Sequence, residues 1–311
     1  MPPLVSVIVV SYNDLHHLRQ LLPSIRGQSY GEIEIILVDN ARNKAVSEYV
    51  SALQSEWRMR LLYVPNLNEG YPGGNVTGAK FAKGQYVLIL NPDIVAESRA
   101  IEIMVKEFST KPKEVMVLVP KILVRQTDVI NSIGMRKIRP SENIYTNIGY
   151  SERDTGRYDA PARAEAFDGP AFMFRRELLE YTYLFDPRFF FGNETVDLAE
   201  RMAKLGFFAF TCPRAVFRHY LRGTVTSSKQ NDRLIAIIVR NSLIHTLRNT
   251  DRAMFFRTLI IGMCGRNIFG RFVTGHNRRL MIPYLKGVTM FITQLGTFKT
   301  VPSLVSVASR K

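Results

Sequence analysis

The chain has 311 residues, 46% hydrophobic and 22% charged, a composition typical of a folded soluble protein. Its two cysteines, Cys212 and Cys264, lie far apart, which excludes a disulfide framework and a cysteine-based metal site. A cytoplasmic, reducing location fits this cysteine content. No signal peptide is expected, because a strand-like pattern begins directly after Met1-Pro2-Pro3.

The net charge of +15 is concentrated at one end of the chain. Residues 214–311 contain 17 Lys and Arg against two acids, Asp232 and Asp251, whereas the first 213 residues contain 25 of each sign. A basic terminal third indicates an anionic surface such as phospholipid head groups, a lipid pyrophosphate or nucleic acid. A solvated helix face is the alternative.

Short apolar runs alternate with helical patterns through the first half of the chain. Such alternation predicts right-handed βαβ units and an α/β fold with a mostly parallel, doubly wound sheet. The predicted strands are Val5–Val10, Ile33–Val38, Leu61–Val64, Tyr86–Leu90 and Val115–Val119.

Polar residues follow three of these strands. They are Ser11-Tyr12-Asn13 after the first strand, Asp39-Asn40 after the second and Asn91-Pro92-Asp93 after the fourth. Each cluster alone is typical of a turn. Because ligands of such sheets bind beyond the carboxyl ends of the strands, the three together predict one pocket. An aspartate there, Asp93, could bind a divalent cation beside a diphosphate.

A glycine-rich segment, residues 68–75, could approach a nucleotide through its backbone. It is not a dinucleotide fingerprint, because that motif would follow the first strand, where Ser11-Tyr12-Asn13 stands. This argues against a nicotinamide enzyme.

The second half of the chain begins with a polar, irregular stretch over residues 131–168. A helix is predicted from Val196 to Leu205, and helices are predicted beyond residue 230. The segments 253–273 and 280–295 are apolar but interrupted by Arg and Lys. They therefore suit interfacial helices better than a membrane-spanning helix.

Two acids, Glu194 and Asp197, open the predicted helix three residues apart, which places them on one face. Helix capping is the simpler interpretation. The aromatic run Phe189-Phe190-Phe191 before them suggests a partly dry cleft, which would raise a carboxylate pKa toward that of a useful base. His219 follows an apolar segment. It is a candidate metal ligand only if other ligating residues lie beside it.

Taken in order, these blocks resemble the family 2 inverting glycosyltransferases of the GT-A fold, and most of all their rhamnosyltransferase-like branch. The resemblance covers roughly residues 4–250. It rests on Val9–Asn13, Leu37–Asn40, Asn68–Gly78 with Leu90–Asp93, and Gly169–Arg176 with Phe185–Arg201 and His219.

The resemblance implies a Rossmann-like GT-A domain and a site for a nucleotide-diphosphate sugar. It implies that Asp93 and His219 bind Mg²⁺ or Mn²⁺, with Asn91 as the first member of the metal motif. Arg240-Asn241 resembles a pair common after the catalytic domain. The resemblance and the strand ends together assign these nucleotide-binding residues: Ser11, Tyr12, Asn13, Asp39, Asn40, Asn68, Gly70, Gly74, Asn75, Asn91 and Asp93.

One residue departs from the family pattern. Family members usually have Glu-Asp at the cleft, with the aspartate as general base, whereas this chain has Glu194-Thr195. Threonine cannot deprotonate a hydroxyl at neutral pH. Either Glu194 or Asp197 replaces the missing base, or the protein is a sugar-nucleotide-binding protein with impaired catalysis.

The sequence therefore predicts a GT-A glycosyltransferase domain over residues 1–230 and a helical, basic, membrane-associating region over residues 231–311. The predicted reaction transfers a hexosyl or rhamnosyl group, with inversion, to a lipid-linked or polysaccharide acceptor. The predicted location is the cytoplasmic face of an anionic membrane. Nucleic acid is not an expected partner, because the basic region lacks a nucleic-acid motif and is too apolar.

Overall fold

The computed structural model of the protein describes residues 1–139, 144–220, 228–249, 255 and 281–294. The strands are β1 Val5–Ser11, β2 Ile33–Asp39, β3 Arg60–Pro65, β4 Tyr86–Leu90, β5 Ile94–Ala96, β6 Val115–Val124, β7 Ile130–Ser132, β8 Met135–Arg139, β9 Ile144–Asn147, β10 Arg163–Ala164, β11 Ala171–Arg175 and β12 Phe208–His219. The helices are α1 Leu15–Arg26, α2 Lys44–Glu56, α3 Gly70–Ala79, α4 Ala100–Thr110, α5 Leu178–Tyr181, α6 Glu194–Lys204, α7 Ser228–Asn249 and α8 Met281–Gln294.

One large sheet organises the molecule, in the order β10-β12-β6-β11-β4-β1-β2-β3. Strands β4, β1, β2 and β3 are parallel neighbours, and β12 is parallel to β6. Strand β11 is antiparallel to both β4 and β6. The continuous apolar runs become central strands because both faces of the sheet are covered. The predicted α/β architecture of the GT-A type, with a mostly parallel sheet, is confirmed.

Two hydrophobic cores lie on opposite faces of this sheet. Side chains of α1, α2 and α4 fill one core, and side chains of α3, α5 and α6 fill the other. Strand residues alternate between the cores, so that Val7 and Val9 face the first and Ile8 faces the second. The arrangement fixes the carboxyl ends of β1, β2 and β4 along one edge.

The glycine-rich segment forms helix α3, which the sequence did not predict. Its glycines allow the helix backbone to approach the sheet. A Cβ at Gly74 would lie 2.5 Å from Cγ1 of Val10, and a Cβ at Gly78 would lie 2.6 Å from Cγ2 of Ile8. Gly74 thus serves helix-to-sheet packing, which is a different role from the nucleotide contact predicted for it.

The stretch predicted to be irregular, residues 131–168, contains short strands instead. Strands β8 and β9 pair as an antiparallel hairpin, β7 pairs with β6, and β10 pairs with β12. These strands are two to five residues long and largely polar, so their positions depend on partners distant in sequence. The prediction was wrong here because it relied on local hydrophobic pattern.

Helices α7 and α8 pack closely at Gly287, where an added Cβ would lie 2.5 Å from the carbonyl oxygen of Ala236. Within the described part of the chain, no helix is long and apolar enough to cross a membrane. The apolar segment predicted over residues 253–273 lies, except for Phe255, outside the described residues. The predicted division at residue 230 remains a prediction.

Candidate active site

The polar strand ends lie together at one edge of the sheet. Strands β1 and β2 pair in parallel so that Ser11 is opposite Asp39, and β4 lies on the other side of β1. Asn91, directly after β4, donates its N–H to the carbonyl of Pro170 at 2.9 Å. The structure therefore brings all three predicted clusters to a single site.

The carboxylate of Asp39 is fully buried and orders the loop after β2. It accepts the N–H groups of Ala41 at 3.0 Å and Asn43 at 2.7 Å, and the hydroxyl of Tyr63 at 2.8 Å. Burial, and then this bond to Asp39, raise the pKa of Tyr63 to about 12. Nearby, Asn13 has a left-handed backbone (φ 61°) and its side chain accepts a bond from Asn43.

A second group of amides joins the strand end to helix α3. Asn40 donates to the carbonyl of Gly70 at 2.9 Å, and Asn68 accepts the N–H of Gly70 at 3.2 Å. Asn75 donates to the carbonyl of Tyr71 at 2.9 Å. The amides therefore fix the start of the helix at the site.

Two polar atoms of this region are buried without a hydrogen-bond partner. They are the hydroxyl of Ser11 and the side-chain oxygen of Asn75. Buried polar groups are nearly always hydrogen-bonded, so atoms of this kind indicate where a polar ligand binds. The ring of Tyr12, 42% exposed, offers an aromatic surface at the mouth of the same site.

Asp93 and His219 form the candidate metal site. Their Oδ2 and Nε2 atoms are 3.2 Å apart, and both residues are nearly buried. Nδ1 of His219 lies 2.8 Å from Oδ1 of Asn131, which can only accept. When Nδ1 donates to Asn131, Nε2 faces the Asp93 carboxylate and is the ring atom placed to act as a ligand.

The main chain reinforces this pair, because β5 and β12 are antiparallel with His219 opposite Ile94. No cluster of three or more His, Cys, Asp or Glu residues suited to a metal occurs in the described ranges. One carboxylate and one imidazole suit Mg²⁺ or Mn²⁺ whose other ligands come from phosphate oxygens and water.

Glu194 is the strongest candidate for a base. Its side chain is buried, and its Oε2 atom has no hydrogen-bond partner. Burial raises the pKa of Glu194 to about 7, and the carboxylates of Asp168 and Asp197 add to the rise. This agrees with the dry cleft that the aromatic run suggested. A carboxylate with a pKa near neutrality is suited to general acid–base catalysis.

The surroundings of Glu194 include residues that the sequence analysis missed. The hydroxyl of Tyr71 donates to the carbonyl of Gly169 at 2.6 Å, and a Cβ at Gly169 would lie 3.7 Å from Oε1 of Glu194. Asp168 accepts the N–H of Gly169 and a bond from Asn147, while burial raises its pKa. The negative charge of Asp168 acts on both Glu194 and His219, so Asp168 is near both candidate groups. Only its position directly before the Gly169–Arg176 block could have indicated it.

The carboxylate of Asp197 is paired with two arginines and is therefore a poor candidate for a base. Arg201 donates from Nε to Oδ2 of Asp197 at 2.9 Å, and Nη1 of Arg248 lies 3.5 Å from Oδ1. Arg201 also donates to the hydroxyl of Thr182 and the carbonyls of Tyr183 and Leu184. Asp197 is therefore part of a structural ion pair. Thr195 is also buried, beside Glu194 on α6.

The model of the family described as glycosyl transferase family 2 matches residues 6–181, which is more than half of the chain. The chain belongs to this family. This confirms the family suggested by the sequence blocks, while the rhamnosyltransferase-like branch stays a prediction.

Curated relatives match over shorter segments. Glycosyltransferase GlyG of Streptococcus pneumoniae is 30% identical over 118 residues, which are 38% of this chain and 39% of that protein. Chondroitin synthase of Pasteurella multocida is 27% identical over 107 residues, which are 34% of this chain and 11% of that protein. The matched segment thus spans well under half the length of these two relatives.

Solved structures share the fold at low identity. GalNAc-T7, crystallised with UDP, GalNAc and Mn²⁺, gives a TM-score of 0.60 at 18% identity and covers 88% of this chain and 57% of its own. The mannosyltransferase PcManGT of Pyrobaculum calidifontis, in complex with GDP-Man and Mn²⁺, gives a TM-score of 0.56 at 17% identity. The match covers 99% of this chain and 86% of PcManGT. These likenesses support the GT-A fold.

Proposed function

We propose that this protein is an inverting glycosyltransferase that takes a sugar from a nucleotide-diphosphate sugar and transfers it to a hydroxyl group. The observation that carries the proposal is that one sheet edge holds the Asp93–His219 pair and a buried Glu194 whose Oε2 atom has no hydrogen-bond partner, with the charge of Asp168 acting on both. Family membership and the donors bound by the structural neighbours support it.

The donor binds along the ends of β1 and β2. Tyr12 stacks on the base, and Asp39 and Asn40 face the base and ribose. The hydroxyl of Ser11 donates a hydrogen bond to the nucleotide or accepts one from it, and Oδ1 of Asn75 accepts one. The ordered loop around Asp39 makes this half of the site largely pre-formed, which reduces the entropy lost on binding.

Asp93 and His219 would hold a Mg²⁺ or Mn²⁺ ion, and Asn91 lies at the same strand end. When bound, the ion supplies charge neutralisation for the departing diphosphate. The proton of His219 on Nδ1, directed to Asn131, keeps Nε2 available as a ligand. Asp168 adds negative charge nearby and favours a cation at this position.

Glu194 acts as the general base. The acceptor hydroxyl attacks the anomeric carbon from the face opposite the diphosphate, and Glu194 takes its proton. The bond to the leaving diphosphate breaks as the new glycosidic bond forms, so the anomeric configuration inverts. Asp197 cannot share this role while Arg201 and Arg248 hold its carboxylate.

The alternative is a sugar-nucleotide-binding protein with impaired catalysis. Thr195, in place of the expected aspartate, favours this alternative, whereas the raised pKa of Glu194 favours an enzyme. Incubation with UDP-, GDP- and dTDP-sugars and Mn²⁺, followed by NMR of the product anomer, separates the two. The proposal predicts transfer with inverted configuration. Binding of a donor without turnover supports the alternative.

We further propose a lipid-linked or glycan acceptor and peripheral attachment to the cytoplasmic face of a membrane. Helix α8 exposes Ile282, Leu285 and Ile292 by 58, 49 and 59%, at the spacing of one helix face. The excess of basic over acidic residues beyond residue 213 complements anionic lipids.

Co-sedimentation with anionic and neutral vesicles tests this attachment. Binding to anionic vesicles should weaken with salt, and serine at all three exposed α8 positions should weaken it further. Ile138→Ser, which removes another exposed aliphatic side chain, is the control. Equal binding to both vesicle types counts against the attachment.

A further inference from the structure

The loop Phe189–Asn193, directly before Glu194, has an unfavourable backbone. Phe190 (φ 53°) and Asn193 (φ 69°) adopt left-handed conformations without being glycine, and Gly192 (φ 85°) lies between them. A bulky residue rarely adopts this conformation unless its surroundings impose it. The loop conformation therefore depends on contacts from outside the loop.

One side-chain amide of helix α7 contacts three carbonyls of this loop. Nδ2 of Asn241 lies 2.7 Å from the carbonyl oxygen of Phe189 and 2.8 Å from those of Phe191 and Gly192. The amide has two hydrogens, so the three carbonyls share them. Asn241 is fully buried, and these bonds form without competition from water.

Arg240 fixes the orientation of that amide. Its Nε and Nη2 atoms donate to Oδ1 of Asn241 at 3.0 and 2.7 Å, and Nη2 also donates to the carbonyl of Arg188 at 2.6 Å. The amide oxygen therefore faces the guanidinium, and the amide nitrogen faces the loop.

The same loop contacts the nucleotide side of the site. The carbonyl of Phe190 accepts the N–H of Tyr71 at 3.0 Å and leaves no room for a Cβ at Gly70. The Oε2 atom of Glu194, in contrast, has no hydrogen-bond partner of its own. The position of the Glu194 carboxylate thus follows from the loop backbone that Asn241 holds.

We infer that Asn241 is a positioning residue that holds the Glu194 carboxylate buried and aimed at the acceptor through the carbonyls of residues 189, 191 and 192. This inference rests on the proposed function for its kinetic consequence only. It makes helix α7 part of the catalytic unit, although α7 comes after the segment that the family model matches.

Three variants test the inference. Asn241→Ala removes the amide, Asn241→Asp keeps its size but has no hydrogens to donate, and Asn241→Ser is a milder change in case the first two fail to fold. Ile237→Ala is the control, because Ile237 is also buried on the same helix and its side chain donates no hydrogen bond.

The Asn241 variants should lower kcat about 10- to 100-fold, as misplacement of a catalytic group does, with KM for the donor within about twofold. In the wild type the rate should rise with pH near 7, where Glu194 loses its proton. In the Asn241 variants this rise should move to lower pH, because a Glu194 carboxylate exposed to water has a lower pKa. Ile237→Ala should lower the melting temperature and leave the profile in place. An unchanged profile in all folded Asn241 variants overturns the inference.

Hydrogen exchange measured by mass spectrometry provides a readout that needs no transfer activity. Peptides covering residues 187–197 should exchange faster in the Asn241 variants than in the wild type. In Ile237→Ala they should exchange at the wild-type rate. Loss of this protection in a protein that never transfers sugar rejects the proposed function and retains the positioning role. Unchanged protection in the Asn241 variants rejects the positioning role itself.

Discussion

Oδ2 of Asp93 and Nε2 of His219 lie 3.2 Å apart because the antiparallel pairing of β5 with β12 brings two distant parts of the chain together. A carboxylate and an imidazole at this distance can share one cation. The relationship also connects the end of the parallel sheet to the last strand before the C-terminal helices.

Removing either side chain should abolish metal-dependent nucleotide binding while the fold survives. Changes to residues that merely support a metal site typically cost about 10- to 100-fold in affinity, and loss of a ligand should cost at least as much. Titration of UDP, GDP or dTDP with Mn²⁺ into Asp93→Ala and His219→Ala measures the loss. Asp128→Ala, an exposed aspartate, is the control. Unchanged Mn²⁺-dependent affinity in both variants contradicts the assignment.

Gly70 should tolerate no side chain. Its φ of +72° is unfavourable for alanine, and an added Cβ would collide with the carbonyl of Phe190. Gly206 has a similar φ of +82° with nothing within 4 Å, and Gly31 has neither constraint. Alanine at Gly206 should cost roughly 1–2 kcal/mol and alanine at Gly31 almost nothing. Gly70→Ala should cost clearly more than Gly206→Ala in urea unfolding, and equal costs would show that the collision is relieved.

Ionisation of Glu194 should destabilise the folded protein. Its pKa rises from 4.5 to about 7, so its contribution to stability is fully present below pH 4.5 and is lost as the pH rises through 7. At about 1.36 kcal/mol per pKa unit the loss is roughly 3 kcal/mol. Glu194→Gln should therefore raise the melting temperature relative to wild type at pH 8 more than at pH 4.5. A pH-independent difference means that Glu194 titrates normally in the folded state.

Thr195→Asp restores the residue that the family pattern places beside Glu194. Because Glu194 already supplies the base in the proposed mechanism, the transfer rate should change little. A gain of roughly 10²- to 10⁴-fold, which is what a positioned general base contributes, would show that the natural chain lacks one. Initial rates of Thr195→Asp and Thr195→Asn, which matches its shape without the charge, isolate the effect. Transfer only by the Asp variant identifies the natural chain as a donor-binding form.

The sequence predicted the central sheet because β1, β2 and β4 are continuous apolar runs, which few other structures accommodate. The carboxyl ends of parallel strands share one edge of a sheet, so the sequence alone could group Ser11, Asp39 and Asp93. Helix α3 was missed because glycine is a poor helix former, and this helix depends on packing against Ile8 and Val10.

The rest of the site depends on contacts between distant segments. Helical spacing places Glu194 and Asp197 near each other, yet only the positions of Arg201 and Arg248 show which carboxylate is paired. Asp168 and Asn131 lie in the polar stretch whose strands are too short to give a pattern. The role of Asn241 follows from its bonds to a loop 49 to 52 residues earlier in the chain, which no local pattern shows.

The rate of sugar transfer by Glu194→Gln, measured at saturating donor and Mn²⁺ with the acceptor that the wild type uses, tests whether Glu194 is the general base. We expect kcat to fall about 10²- to 10⁴-fold, with nucleotide affinity within about twofold of wild type. Transfer by Glu194→Gln at the wild-type rate would contradict this role, because no base would then be needed at that position.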